Sequence, residues 1–295
     1  MSTAAGAGTA MPLKRLIGIW PVAAVGLAML LLWPLIAFLV NLPAAREALA
    51  QGGCTGLYAC ASTLNSPILP APLQFLDGAA QMLNPLWGRS SLLFNALYTG
   101  WETLLGLLLA LFVSFFTGTL LAFSRPFERA TLPWIVASQN VPIIALAPVL
   151  VVLLGRFGVQ GLLPKALISG YIAFFALTVG VARGLASLDP LRLDLMRSYC
   201  ASPWFVYWHV RLPVALPLIM TNLKVAAAGA LVGAIVAELS TVTFSGLGAM
   251  LLARYYAGDI IGLWVVMAAS GLLGIALYAL LSLLERVVTP WSPRH

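Results

Sequence analysis

An all-α polytopic membrane protein, with six transmembrane helices and both ends on the cytoplasmic side, is the fold that this sequence predicts. Three observations predict it. Of 295 residues, 61% are hydrophobic and only 8% are charged, whereas a soluble domain runs near ~25% charged. The apolar residues fall in long uncharged runs, and the few basic residues cluster on alternate connections. So few charges could not cover a soluble surface of this size, because exposed apolar area is costly in water. A soluble enzyme, a nucleic-acid binder and a disordered chain are thereby excluded, and the solvent is the lipid bilayer. The net charge of +7 fits the basic cytoplasmic loops of a membrane protein.

Residues 1–15 begin with Ala, Gly, Ser and Thr and read as a disordered cytoplasmic tail. Leu16 to Val40 is the first span, tilted or kinked near Pro34. A signal peptide competes with that reading, since Ala48-Leu49-Ala50 resembles a cleavage site. The run is far longer than the ~7–15 residues of a signal core, which favours a span. Residues 41–91 form an external segment. Within it Pro72–Leu83 carries Leu73, Phe75, Leu76, Ala79, Ala80 and Leu83 at helical spacing, the pattern of a helix lying on the interface. Cys54 and Cys60 lie in this segment without a neighbouring His, so no zinc pattern exists, and a disulfide between them is left open.

Five further runs, Thr103–Phe123, Leu132–Leu154, Leu162–Ala182, Val214–Ser240 and Ile260–Leu284, approach or exceed the ~20 residues that cross a bilayer. They make up a core over residues 92–288, followed by a cytoplasmic tail, 289–295. The runs are continuous rather than alternating, which excludes a β-barrel. With the N-terminus inside, Lys14, Arg15, Arg125, Arg129, Arg183, Arg192, Arg197, Arg211, Lys224, Arg286 and Arg294 are cytoplasmic. Arg46, Arg89, Arg156, Lys165 and Arg254 are external. That asymmetry sets the orientation.

The cytoplasmic connection 189–213 is the most informative stretch. Asp189-Pro190 and Ser202-Pro203 each pair an N-cap with proline at the first helical position. Two short helices follow, the first ending near Tyr199, the second carrying Trp204, Phe205, Tyr207 and Trp208. Pro213 and Pro217 bracket the entry to the next span. Two readings of this aromatic segment stay open on composition: a protruding knob for a protein partner, or an amphipathic stretch on the lipid interface.

Here the chain resembles the permeases of bacterial ABC importers, whose cytoplasmic loop reads E-A-A-x-x-x-G, nine residues, I-x-L-P. The pattern falls on Asp194-Leu195-Met196-Arg197-Ser198-Tyr199-Cys200 and then on Val210-Arg211-Leu212-Pro213. Ile68-Leu69-Pro70-Ala71-Pro72, Asn140 to Pro148, and Ala237-Glu238 with Ser245-Gly246-Leu247-Gly248 resemble the nitrate, sulfonate and taurine branch. The resemblance covers roughly residues 67–291. It implies a subunit without catalytic residues or cofactor, working beside an ATP-binding cassette ATPase dimer, a second permease and an extracytoplasmic solute-binding protein. By the same resemblance Asp194, Arg197, Cys200, Ser202, Trp204, Phe205, Trp208 and Pro213 couple to the ATPase. Departures are the shorter Asp194, the bulky Leu195 and Met196, and Cys200 at a glycine position. They read either as subfamily drift or as pairing with a different permease that carries a more standard loop.

No P-loop exists, because Lys14, Lys165 and Lys224 follow Leu, Pro and Leu rather than Gly. Inside the membrane, Glu102 reads as interfacial at the start of a span. Glu238, near an outer helix end beside Ser240, Thr241 and Thr243, reads as a helix-terminal, water-exposed or gate residue, or as a solute contact. Gln139 and Asn140 beside Pro142 form a candidate pathway wall, since Pro142 and Pro148 free backbone carbonyls; interhelical hydrogen bonding competes with that reading. The small residues 226–230 let the fifth span approach a neighbour closely, with the partner permease as the expected one. An ion-coupled carrier using Glu102 and Glu238, and a non-transporting scaffold, are the competing functions. The imported solute is expected to be a small anion or a heteroaromatic vitamin precursor.

Overall fold

The computed structural model describes residues 11–88, 90–240 and 245–291. Most of the two expected tails, together with Arg89, Thr241, Thr243 and Arg294, lies outside the described residues. In chain order the helices are α1 (Met11–Ala50), α2 (Leu57–Thr63), α3 (Pro72–Leu83), α4 (Leu92–Phe123), α5 (Arg125–Ser138), α6 (Ile143–Arg156), α7 (Leu162–Ala186), α8 (Pro190–Ser198) and α9 (Pro203–Val206). A π-helical turn, Tyr207–Arg211, then leads into α10 (Leu212–Leu239), followed by α11 (Leu247–Tyr256) and α12 (Ile260–Val288). No strand occurs among the described residues. Five segments are long and apolar enough to cross a bilayer: 24–50 and those containing α4, α7, α10 and α12. The pair α5 and α6 supplies the sixth when taken as one broken span.

The chain divides into two compact units, one of residues up to 81 with 258–264, the other of 82–257 with 265 onward. In the first, α1 continues through Pro43 to Ala50, so residues 41–50 are helical rather than loose external chain. Ala44, Ala45, Glu47, Ala48 and Leu49 are strong helix formers, and they carry the helix past the proline. Cys54 and Cys60 are joined by a disulfide with Cα atoms 5.4 Å apart, packed with Ala45 and Ala61. Buried Asn41 clamps the Ile68-Leu69-Pro70 segment, accepting from Ile68 N at 2.8 Å and donating to Leu69 O at 2.7 Å. The indoles of Trp33 and Trp264 donate to Pro70 O and Ile68 O, both at 3.1 Å. This clasp fixes the start of α3, which forms over the predicted residues and leaves Leu73 and Leu76 exposed.

In the second unit α4, α7 and α10 form the core. Lipid tails give no hydrophobic drive for helix pairing, so close packing and hydrogen bonds must supply it. At Gly106 a Cβ would meet Ala166 O and Ser169 Oγ, each at 2.6 Å, and at Gly170 one would meet Gly106 O at 2.7 Å. Ser169 donates to Ala230 O at 2.8 Å, and Ser114 to Phe174 O at 3.0 Å. The small residues Ala226, Ala227 and Ala230 are buried in this core, and Gly229 lies against Ile172 of α7. Their neighbour within the chain is therefore α7. Lys224 pairs with Glu285 of α12 at 2.7 Å.

The continuous span expected over 132–154 is instead bent by 100° between α5 and α6. Pro142 offers no N–H and disfavours helical geometry at Val141, so the α5 ladder ends before it. Tyr171 of α7 donates to Ser138 O at 2.6 Å and holds the broken end.

Gly106→Ala is expected to destabilise the domain by about 1–3 kcal/mol through overpacking. Gly155→Ala, where an added Cβ meets nothing within 4 Å, should leave it unchanged or slightly firmer. Thermal unfolding of the two purified variants in one detergent checks the contrast.

Candidate functional site

Asp189 caps α8, accepting from Leu191 N at 3.0 Å, with Pro190 as the first helical residue. The helix closes in a Schellman arrangement. Cys200 N bonds Arg197 O at 2.9 Å, and Ala201 N bonds Met196 O at 3.1 Å. Cys200 takes φ 51° in this closure, the left-handed region where glycine fits best. Ser202 then caps α9, accepting from Phe205 N at 3.3 Å. Asp194 and Arg197 pair with each other at 2.9 Å, their side chains 64% and 80% exposed.

The second short helix is not separate from the fifth span, as the prolines had suggested. The backbone passes from α9 through the π turn into α10 without a break. Pro213 removes a donor, and its ring would collide with the carbonyl four residues before it. The π turn, closed by Leu212 N on Tyr207 O, widens the helix just ahead of that ring.

The loop aromatics divide between two sides. Phe205 lines a hollow with Met196, Tyr199 and Ser202. Trp204, Tyr207 and Trp208 line another with the end of α4. Tyr207 reaches Thr119 Oγ at 3.1 Å, and Arg211 lies 4.7 Å over the Phe123 ring while donating to Leu185 O. Trp204 is 72% exposed and Trp208 41%.

A second constellation is buried in the helical core. Glu102 is not interfacial: it is fully buried and pairs with equally buried Lys165 at 3.1 Å. Lys165, counted on the external side of the membrane, sits in the first turn of α7, 5.0 Å from the Tyr98 ring centre. Glu238 is also fully buried. Its Oε1 accepts from Thr99 Oγ1 at 2.6 Å, and its Oε2 from Gly248 N at 2.7 Å. Thr99 Oγ1 accepts from Leu247 N at 2.8 Å, and Asn95 Oδ1 from Gly246 N at 2.7 Å. Three successive amides at the start of α11 are thus capped by side chains of α4 and α10, in place of the intrahelical partners they lack. Gly246 has φ 110°, and a Cβ there would collide with the Glu238 carboxylate. The Ser-Gly-Leu-Gly turn is therefore shaped around Glu238.

Asn95, Thr99 and Lys165 were missed by sequence reasoning. Positions 95, 99, 102, 103, 106, 110 and 114 share one helical face and are all polar or small, a signal that could have found the first two. Gln139, Asn140 and Pro142 form the exposed elbow between α5 and α6, apart from the Glu238 network.

The geometry defines a helical membrane subunit with a structured protrusion and a buried polar keystone. Residues 102–292 match the family described as binding-protein-dependent transport system inner membrane component, and the chain belongs to that family. It is a transport subunit of the inner membrane and not an enzyme. A probable ABC transporter permease protein of Haemophilus influenzae is 36% identical over 137 residues, 46% of this chain and 54% of that one. The match thus spans about half of that relative. The taurine transport system permease protein TauC of Escherichia coli is 31% identical over 237 residues, 77% of this chain and 82% of its own length. The formylaminopyrimidine transport permease protein ThiX of Halalkalibacterium halodurans is 28% identical over 229 residues, 77% and 87%. A solved structure of the MetNI methionine ABC transporter, inward facing, shares the fold with TM-score 0.53 and 18% identity over 68% of this chain and 95% of that one. The resemblance read from the motifs is borne out.

Lys165→Met leaves Glu102 buried without its cation and is expected to cost about 3–5 kcal/mol, while the double variant Glu102→Gln/Lys165→Met recovers much of that loss. A double-mutant cycle on unfolding midpoints checks the coupling. Cys200→Gly relieves the left-handed residue and should stabilise the loop by roughly 1 kcal/mol, read as slower proteolysis between α8 and α9.

Proposed function

We propose that this chain is the permease of an ATP-driven, binding-protein-dependent importer. Its 189–213 loop docks on a separate ATPase dimer, and a second permease subunit completes the pathway. Both ends and the loop face the cytoplasm, and the disulfide-bearing segment faces the oxidising side. The observation that carries the reading is the continuous helical column from Pro203 to Leu239, 37 residues long and about 55 Å in extent. One end presents the loop aromatics, and the other holds Glu238 at the turn before α11. Displacement of the loop by a closing ATPase moves the far end of the same rigid element. The bound ATPase thereby biases a two-state membrane domain through differential docking.

In this assignment Phe205 and Trp204 fill the ATPase groove, with Trp208 behind them. Asp194 and Arg197 exchange their mutual contact for contacts to the ATPase, at little cost because an exposed pair contributes only ~0–1 kcal/mol. Ser202 and Pro213 shape the two helix starts. Gln139, Asn140 and Pro142 contribute polar and backbone groups to the pathway wall, and Glu238 holds its outer turn. The solute is a small anion or a heteroaromatic precursor, by similarity to relatives named for taurine and formylaminopyrimidine transport.

In proteoliposomes, uptake is expected only with the ATPase subunits, the binding protein and ATP. Uptake driven by a proton gradient alone overturns the proposal in favour of an ion-coupled carrier. Trp204→Ala combined with Asp194→Arg is expected to abolish ATPase co-purification; unchanged assembly and transport defeats the docking assignment. Cys200, an exposed free thiol, gives a direct footprint. Maleimide should label it quickly in the lone permease from the cytoplasmic side, and slowly in the assembled transporter.

A further inference from the structure

The hollow between α4 and the loop has a volume of about 670 Å³, within the ~300–1,000 Å³ of small-molecule sites. One wall is Phe115, Phe116, Leu120 and Phe123 of α4. These residues lie on the face turned away from the core, since Ser114, Gly118 and Leu121 face inward. From Phe115 to Phe123 the groove climbs about 12 Å along the helix. The helix is long and apolar enough to cross a bilayer, and these four wall residues are all apolar. The opposite wall is the aromatic side of the loop, with Trp204 and Trp208. The two lining hydroxyls, of Thr119 and Tyr207, bond each other at 3.1 Å, and Thr119 donates to Phe115 O at 2.7 Å. The charged lining groups are both guanidiniums, Arg197 and Arg211. Arg211 spends one N–H on Leu185 O, and an arginine carries five.

We propose that this groove holds an anionic glycerophospholipid of the cytoplasmic leaflet, one acyl chain against Phe116, Leu120 and Phe123 and the phosphate at Arg211. An apolar trough lined also by Trp and Tyr, with a guanidinium beside it, matches the acyl chain, interface and headgroup chemistry of a lipid. A second copy of this chain is the competing occupant. The proposal rests on the cytoplasmic placement of the loop, which the labelling of Cys200 tests separately.

The intact transporter, purified in mild detergent and moved into nanodiscs of phosphatidylcholine with a minor share of phosphatidylglycerol, is examined by native mass spectrometry. Phosphatidylglycerol is expected to be retained in preference to phosphatidylcholine. Leu120→Trp and Phe116→Trp, which fill the trough, should remove it with the ATPase still bound. Arg211→Gln should lower retention about fivefold. Equal retention of the two lipids, or undiminished phosphatidylglycerol in both tryptophan variants, overturns the proposal. So does a disulfide between two copies at Leu120→Cys, which places the second permease in the groove.

Discussion

The core of this permease is organised by the need to satisfy buried charge where water is absent. Glu102 and Lys165 are fully buried, and a lone charge at such a site would be too costly to keep. Their pairing fixes the relative height of α4 and α7. Glu238 adds α10, because its carboxylate is held between Thr99 of α4 and the amide of Gly248. Small residues then let the three backbones approach to the distance those bonds need. A Cβ at Gly106, Gly170 or Gly233 would run into a neighbouring backbone or side chain. Polar pairing and small-residue packing are thus one constraint, since neither is reachable without the other.

From that keystone the structure separates rigid from broken elements. The column from α9 through α10 is continuous because the π turn absorbs the defect at Pro213. Between α5 and α6 no comparable device exists, and Pro142 ends the ladder in a 100° elbow. A proline near a helix start can be accommodated by widening, whereas one that follows a turn-forming Gln-Asn pair stops the helix. The result is an unbroken element between the loop and Glu238, beside an element whose exposed polar elbow is free of that network.

Much of this was legible in the residues. Uncharged runs marked the crossings, helical spacing placed α3, and the paired N-cap and proline signals placed α8 and α9. The family pattern even located the left-handed residue, because a glycine position occupied by Cys200 does take positive φ. What escaped were features set by partners distant in sequence. Glu102 and Lys165 look like end-of-span charges when each is read against its own neighbours. Only the packing of α4 on α7 shows that they neutralise each other. The extension of α1 past Pro43 and the π turn escaped because proline signals a helix break, and tertiary context can overrule it.

The same geometry bears on why the loop departs from the family pattern. A side chain at the glycine position could have displaced α9 relative to α8, leaving a partner permease to supply the standard docking shape. The closure of α8 keeps the left-handed geometry of a glycine position, with Cys200 at φ 51°. Both Schellman bonds form, at 2.9 and 3.1 Å, and they offset the roughly 1 kcal/mol that a non-glycine residue costs there. The bulky replacements are accommodated too, since Leu195 points outward and Met196 lines the hollows flanking α9. The substitutions therefore change the chemistry of the protrusion, adding a thiol and apolar bulk, while its backbone stays as the pattern requires.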